Sequence, residues 1–141
     1  MRRALQLAEI CKADGEVPVG AVIVKNGEII SEGRNRRESG KNALYHAEIE
    51  AIDNACKTLG GWRLDGCDLY VTLEPCPMCA GAAINARIKT VYFGAYDSKA
   101  GSFGSVEDFN RLNYNHKVEI IGGVMEKECE KILTDFFKSI R

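Results

Sequence analysis

The stretch Thr72-Leu73-Glu74-Pro75-Cys76-Pro77-Met78-Cys79-Ala80-Gly81 marks the point where the pattern of the chain changes. Extended apolar residues precede it, and small residues at helical spacing follow it. Pro77 is tolerated in the first turn of a helix because the N–H that it lacks would be unpaired there anyway. The stretch therefore predicts a strand that leads into a helix, with the sulfurs of Cys76 and Cys79 on one side of the first helical turn.

Length and composition set the broad class of protein. The chain has 141 residues, of which 45% are hydrophobic and 28% charged, and its net charge is -1. These values fit a single domain, which we place at residues 1–141. Because the whole chain is not cationic, any nucleic acid would have to bind a local basic patch.

The six cysteines indicate the compartment. The first residues have no secretory pattern, and no apolar run reaches the length of a membrane span. We therefore expect a cytoplasmic protein without a membrane segment. In a reducing compartment, closely spaced cysteines are typical of metal ligands or catalytic groups rather than disulfides.

Hydrophobic periodicity predicts alternating helices and strands. The predicted helices cover residues 1–14, 43–59, 76–87 and 125–140. The predicted strands cover residues 19–24, 29–33, 69–73, 90–94 and 118–121. Asn26-Gly27 between the first two strands predicts a hairpin, since both residues accept a positive φ. The alternation predicts an α/β layered sheet that is mostly parallel after its opening hairpin.

A histidine and an acid lie about thirty residues before the cysteine pair, in Tyr45-His46-Ala47-Glu48. At the first turn of a helix, both side chains can reach around the open end of the helix axis. The positive end of a helix dipole also favours thiolates, which are the form of cysteine that binds metal. We therefore expect two helix N-termini to face one ion, with His46, Cys76 and Cys79 as its ligands.

The number of ligands distinguishes a structural from a catalytic metal. Cys56 lies about 15 Å from His46 by helical rise, and Cys67 begins an extended segment that carries it too far away. Cys11 and Cys129 belong to no motif, although distance along the chain does not exclude them. Three ligands and an open position describe catalytic zinc, so we predict one Zn²⁺ per subunit.

Glu48 then has a chemical role as the unligated acid. Zinc lowers the pKa of its bound water towards about 7, and a nearby carboxylate can take the proton and return it to a substrate. Attack of the resulting hydroxide on a ring carbon that bears an amino group releases ammonia. The predicted reaction is hydrolytic deamination.

His46-Ala47-Glu48 together with Pro75-Cys76-Pro77-Met78-Cys79 resembles the signature of the zinc-dependent nucleoside deaminase superfamily. Nearly the whole chain looks like the bacterial tRNA adenosine deaminase family. The matching pieces are residues 16–22, 33–36, 69–82, 93–99, 115–119 and 135–138. The resemblance implies a cytidine-deaminase-like three-layer α/β/α sandwich with a central mixed five-stranded sheet. It also implies conversion of the wobble adenosine of a tRNA anticodon to inosine, by a homodimer whose partner subunit helps to build each RNA site.

The same resemblance implies roles for individual residues. His46, Cys76 and Cys79 would hold zinc, and Glu48 would move protons. Further substrate contacts would come from eight residues. Asn35 would hydrogen-bond the flipped base, Val19 would help to wall its pocket, and the Pro75 carbonyl would orient the departing amine. The flanking anticodon nucleotides would be held by Asp97, Lys99, Asn115, His116 and Phe137.

The chain departs from the family in one place near the site. Asn42-Ala43-Leu44-Tyr45 stands where the family commonly has Asp-Pro-Thr-Ala, and a bulky Tyr45 would narrow or reshape the pocket. Tyr45 and the near-neutral charge favour a first alternative, a deaminase of guanine or another free base or nucleoside. A second alternative is a catalytically inert, zinc-containing RNA-binding subunit, against which Glu48 argues. Arg34, Arg36, Arg37 and Lys41 lie in one loop, and such a basic loop suits phosphate binding if the substrate is tRNA.

Overall fold

The computed structural model describes residues 1–140, so Arg141, which we include in the predicted domain, lies outside the described residues. The helices are α1 (Arg2–Ala13), α2 (Ala47–Leu59), α3 (Pro77–Asn85) and α4 (Glu126–Ser139). The strands are β1 (Gly20–Lys25), β2 (Glu28–Arg34), β3 (Cys67–Leu73), β4 (Thr90–Ala95) and β5 (Glu119–Ile121). A short 3-10 helix covers Phe109–Arg111. Among residues 1–140, no helix has both the length and the apolar character that a membrane crossing requires.

The strands form one mixed sheet in the order β2-β1-β3-β4-β5. Strand β1 is antiparallel to both β2 and β3, whereas β3, β4 and β5 run parallel. The hairpin between β1 and β2 turns at Asn26 and Gly27, whose φ angles are 52° and 78°. Two positive φ angles match the right-handed twist of the flanking strands. The predicted mixed five-stranded sheet is confirmed.

Helices cover both faces of the sheet. Helix α1 packs on β1, β2 and β3, and α4 packs on β4; α2 contacts β1, β2 and α3. Buried side chains of the strands and of α2 and α3 belong to one hydrophobic cluster, which includes Ile23, Ala51, Ala55, Leu69, Val71, Ala80, Ala83, Val91 and Phe93. The alanines on α2 let this helix approach the sheet closely. The three-layer α/β/α sandwich is therefore also confirmed.

One predicted helix start is wrong. Helix α2 begins at Ala47 instead of residue 43, because His46 has extended backbone angles (φ -87°, ψ 154°) and ends the preceding turn as the N-cap. The Asn42 side chain accepts the Leu44 N–H at 2.9 Å, which stabilises that turn instead of a helix. Helix α3 begins at Pro77, with Cys76 as its N-cap.

The fold brings the starts of α2 and α3 to one end of the sheet. Strand β3 ends at Leu73 and leads directly to the N-terminus of α3. Gly33 on β2 lets α2 approach closely, since a Cβ at this position would overlap the carbonyl oxygen of Ala47. Ligand sites of open α/β sheets lie beyond the carboxyl ends of the parallel strands, and this end of β3 has that position.

Candidate metal centre and substrate cavity

Three side chains of the types that bind metal ions meet at the two helix starts. The Nδ1 atom of His46 lies 3.6 Å from the sulfur of Cys76 and 3.6 Å from the sulfur of Cys79. The three ligand atoms all lie within 4.8 Å of one another. The structure thus brings together the three residues that the sequence predicts as ligands.

Helix capping explains why these side chains are available. His46 is the N-cap of α2 and Cys76 is the N-cap of α3, and neither side chain makes a capping hydrogen bond. Both residues are extended, so their side chains project from the helix ends instead of lying along the helices. The first-turn N–H groups and the positive ends of both dipoles then favour negative charge at this point.

The spacing of the three atoms fits a tetrahedral zinc ion. With Zn–N bonds of about 2.0–2.1 Å and Zn–S bonds of about 2.3 Å, a tetrahedron has an N–S edge of about 3.6 Å. The observed distances from Nδ1 to both sulfurs have this value. No fourth cysteine, histidine, aspartate or glutamate in residues 1–140 joins the group. The donor set therefore fits a three-ligand site for zinc.

The three clustered side chains also influence one another's protonation. A hydrogen bond from Cys79, with further help from His46, lowers the pKa of Cys76 to about 4 despite its burial. The hydrogen bond to Cys76 and burial raise the pKa of Cys79. The hydrogen bond to Cys76 also raises the pKa of His46. The cluster thus stabilises one thiolate, which is the ligand form of cysteine.

Glu48 is buried in the first turn of α2, two residues after His46. Burial raises the pKa of its carboxyl group to about 7. A carboxyl group with a pKa near neutrality is suited both to accepting and to donating a proton. Glu48 and two of the candidate metal ligands, His46 and Cys76, line the same cavity.

The cavity beside the cluster has a volume of about 230 Å³. Pockets for drug-sized ligands typically have about 300–1,000 Å³, so this cavity suits a single heterocycle. Its other lining residues are Val17, Val19, Asn35, Arg37, Ala47, Leu73, Glu74, Asp97 and Ala100. An apolar lining with a few polar groups is typical of a site that binds and orients an aromatic base.

Asn35 is buried in the cavity wall with a fixed amide orientation. Its Nδ2 donates to the Val17 carbonyl at 3.1 Å, and its Oδ1 accepts the Arg37 N–H at 3.1 Å. An amide has two N–H groups and two oxygen lone pairs, so one of each is left for a ligand. Val19 is buried beside it, and its carbonyl accepts the Asn35 N–H at 3.1 Å.

Pro75 is predicted to orient the departing amine, whereas Asp97 and Lys99 are predicted to hold flanking nucleotides, and the three residues have different positions. The Pro75 carbonyl already accepts the Ser102 N–H at 2.9 Å and has a second lone pair. Asp97 is half-buried in the cavity wall, and its Oδ1 accepts the N–H groups of Lys99 and Ala100 at 3.0 and 3.2 Å. The side chain of Lys99 is exposed and does not line the cavity.

The remaining predicted contacts do not join the cavity of this chain. His116 Nε2 lies 2.8 Å from the carbonyl oxygen of Ile88, which precedes β4, whereas Asp97 follows the other end of β4. Asn115 lies in a separate depression near the end of α3. Phe137 is 41% exposed, and its ring packs edge-on against buried Phe136 with centroids 5.3 Å apart.

Sequence reasoning did not identify which cation faces the cavity. Arg34 and Arg36 pair with Asp14 and Glu50, at 2.6 and 2.8 Å. Of the lysines and arginines in residues 1–140, only Arg37 lines the cavity. Only the packing of the loop distinguishes these arginines.

Tyr45 does not narrow the cavity. Its ring packs over Gly40, where a Cβ would overlap it, and Tyr45 is absent from the lining formed by the described residues. The expectation that Tyr45 reshapes the pocket is therefore not supported by its position.

Comparisons with known proteins agree with this geometry. The family model of the MafB19-like deaminases matches residues 1–141. The chain is 48% identical over 142 residues to the tRNA-specific adenosine deaminase of Bacillus subtilis (strain 168), across all of this chain and 88% of that protein. A solved tRNA:A34 deaminase, studied for A-to-I editing at the wobble position of transfer RNA, superposes with a TM-score of 0.92 and 42% identity, over 94% of this chain and 97% of that one.

A guanine deaminase from Bacillus subtilis is also similar. It superposes with a TM-score of 0.64 and 36% identity, over 81% of this chain and 83% of that one. The deaminase fold and the three-ligand cluster are thus accompanied by full-length similarity to known deaminases. The chain belongs to the MafB19-like deaminase family, together with the tRNA-specific adenosine deaminases that it matches along its whole length.

Proposed function

We propose that this chain, acting as one deaminase domain over residues 1–141, converts adenosine to inosine at the wobble position of a tRNA anticodon and releases ammonia. The observation on which the proposal depends is the joint position of His46, Cys76 and Cys79 at two helix N-termini, with buried Glu48 in the adjoining cavity. The relatives' names support tRNA as the substrate. We place the reaction in the cytoplasm.

His46, Cys76 and Cys79 would hold the zinc ion. When bound in a site with an open position, zinc lowers the pKa of a water molecule and stabilises negative charge at the reacting oxygen. The protein supplies a rigid donor set, because all three residues lie at the ends of elements packed in the core.

Glu48 transfers two protons in turn. It takes the first from the attacking water and delivers it to N1 of adenine as the water oxygen bonds to C6. It then takes the second from the new C6 hydroxyl group and delivers it to the amine, which leaves as ammonia while the C6 carbonyl forms. The product inosine keeps the proton on N1. The pKa of about 7 allows Glu48 to act as base and as acid.

Asn35 and the valines position the base. The free N–H and lone pair of the Asn35 amide can hydrogen-bond the edge of a purine. Val17 and Val19 supply apolar contact for the ring. The cavity holds one base, so the nucleotide must be turned out of its stack, which costs less in a loop than in a duplex.

Arg37 supports a substrate that carries phosphate. It lies at the cavity beside Asn35, its side chain is half exposed, and its nearest carboxylate, that of Glu38, is 3.9 Å away. A guanidinium group in this position can bind the phosphate next to a flipped nucleotide. A free base has no phosphate for this group to bind.

The other predicted RNA contacts fit a homodimer. Asn115 and His116 lie at the far end of β4 from Asp97, about 20 Å away by the rise of a six-residue strand. In a homodimer these two residues would serve the partner's site. We propose the homodimer, and the RNA contacts by Lys99 and Phe137, from the resemblance to the tRNA adenosine deaminase family.

A single substrate panel tests the proposal. The unmutated protein is assayed for ammonia release from an anticodon stem-loop, guanine, adenosine and cytosine. We expect release from the stem-loop. Release from guanine alone would replace the substrate with a free base, a possibility that the likeness to a guanine deaminase and the one-base cavity favour.

Glu48→Gln tests the chemistry separately. We expect unchanged zinc content and loss of turnover, because an amide cannot transfer the protons. Glu50→Gln is the matched control, since Glu50 lies two residues further along α2 and pairs with Arg36 outside the cavity. RNA binding without turnover by the unmutated protein would instead favour the inert subunit.

A further inference from the structure

Two buried carboxylates accept hydrogen bonds from the loops of the cavity, and the proposed reaction uses neither of them. Glu16 and Glu74 are each only 2% exposed. We propose that they are positioning residues, each of which fixes one cavity loop so that its side chains are held against the flipped base. The proposal rests on the proposed function and extends it to two residues that do not touch the reacting atoms.

Glu74 holds the segment that we call the 97–105 loop. Its Oε1 accepts the Asp97 N–H at 3.1 Å and the Ser105 hydroxyl at 2.5 Å. Its Oε2 accepts the N–H groups of Phe103 and Ser105 at 3.2 and 3.1 Å. Four donors match the full acceptor capacity of an ionised carboxylate. Two residues of this loop, Asp97 and Ala100, line the cavity.

The 97–105 loop is shaped around this carboxylate. Gly101 lies against Glu74, where a Cβ would overlap the carboxyl carbon. The loop contains no strand and no helix, only an isolated bridge between Phe103 and Asp108. Buried N–H groups need hydrogen-bond acceptors. The Glu74 carboxylate supplies these acceptors for the loop, as the carbonyl groups of a neighbouring strand do within a sheet.

Glu16 plays the same part for the segment that we call the 35–42 loop. Its Oε1 accepts the Glu38 N–H at 3.0 Å, and its Oε2 accepts the Ser39 N–H at 2.7 Å. Burial raises the pKa of Glu16, but the hydrogen bonds from Ser39 and Glu38 outweigh it and leave the pKa below its usual value. Two residues of this loop, Asn35 and Arg37, line the cavity.

The two sets of bonds are separate and point to local roles. Among the hydrogen bonds of residues 1–140, Glu16 makes none with the 97–105 loop, and Glu74 makes none with the 35–42 loop. Loss of either carboxylate should therefore release one loop and leave the other in place. A carboxylate that only contributes to overall stability would not separate the loops in this way.

Glu74→Gln and Glu16→Gln test the proposal by amide hydrogen exchange and by kinetics. Glutamine has the same shape, but one end of its amide is a donor and would face an N–H group of the loop. We expect Glu74→Gln to speed exchange most at Asp97, Phe103 and Ser105, and Glu16→Gln to speed it most at Glu38 and Ser39. In both variants kcat/KM should fall about 10- to 100-fold, since small misplacements of a bound substrate have effects of this order.

Zinc content should be unchanged in both variants, because neither carboxylate is a ligand. Glu32→Gln is the matched control. Glu32 lies on β2 and pairs with Arg3 of α1 outside the cavity, so kcat/KM should change less than about twofold. Should Glu74→Gln fail to fold, Ser105→Ala removes one of its four donors, and a smaller change confined to the 97–105 loop is expected.

Unchanged exchange in the loops would overturn the proposal. So would exchange that rises equally in the sheet and in both loops, because that result describes a global loss of stability. The exchange measurements need no substrate, so they stand even if the unmutated protein deaminates guanine and not the stem-loop. In that case the kinetic comparison is made with guanine.

Discussion

The Nδ1 atom of His46 lies 3.6 Å from the sulfur of Cys76, although thirty residues separate them in the chain. Each residue is the N-cap of its own helix, and the two helices contact each other on one face of the sheet. The pair has the N–S separation of a tetrahedral zinc site, about 3.6 Å. The proposed metal binding and the proposed orientation of the base both depend on the meeting of these two helix ends.

Cys79→Ser should remove most of the zinc from the purified protein, because it replaces one of three ligands with a poor one. We expect a loss of thermal stability as well, since binding energy for a structured site adds to folding energy. Cys56→Ser makes the same chemical change on α2 outside the cluster and should leave the zinc content unchanged. Metal analysis of the two variants checks the prediction, which fails if both keep one zinc per chain.

Gly33→Ala should disturb the metal centre from a distance. The new methyl group would overlap the Ala47 carbonyl and push the start of α2, with His46, away from β2. We expect a loss of about 1–3 kcal/mol in the free energy of unfolding, as for other overpacked sites, and weaker zinc binding. Gly61→Ala is the control, since a Cβ there meets nothing within 4 Å. Equal effects of the two alanines in urea unfolding and zinc titration would contradict this explanation.

Arg37→Ala should weaken binding of an anticodon stem-loop and reduce its dependence on salt. Removing one phosphate contact is expected to lower the slope of log K against log salt concentration by about 1. Arg63→Ala serves as the control, because Arg63 follows the far end of α2 and does not line the cavity. Binding measured at several salt concentrations gives the result. A slope that is unchanged in Arg37→Ala would show that Arg37 does not contact phosphate.

Glu16→Gln should cost stability at neutral pH and much less in acid. The pKa of Glu16 is lower in the folded chain than its usual value of 4.5. Its stabilising contribution is therefore fully present above pH 4.5 and is lost as the pH falls through the folded value. We expect a loss of about 1–3 kcal/mol at pH 7, typical of a lost hydrogen bond to a charged group, and a smaller loss at pH 3.5. Urea unfolding at both pH values measures the difference, and an equal loss at both would contradict the assigned charge.

The sequence predicts most of the secondary structure because the patterns involved are local. Asn26 and Gly27 accept positive φ by their own chemistry, and the strand and helix periods follow from the side chains within each element. The start of α2 was misplaced because Ala43 and Leu44 suit a helix, while the competing signal is a single hydrogen bond from Asn42.

The grouping of the three candidate metal ligands was predictable for a related reason. Cys76 and Cys79 lie three residues apart next to Pro77, so their geometry is set within one helical turn, and His46 follows from the family motif. Glu74 and Glu16 were missed as positioning groups because their partners lie 22 to 31 residues away in the chain. Only the folded loops show that these carboxylates accept backbone N–H groups.

X-ray absorption at the zinc edge of the purified protein tests the central claim most directly. We predict one zinc per chain, with two sulfur ligands at about 2.3 Å, one imidazole nitrogen at about 2.0–2.1 Å and one further light-atom ligand. A zinc ion with three or four sulfur ligands, or a protein that binds no stoichiometric zinc, would contradict the three-ligand centre on which the proposed deamination depends.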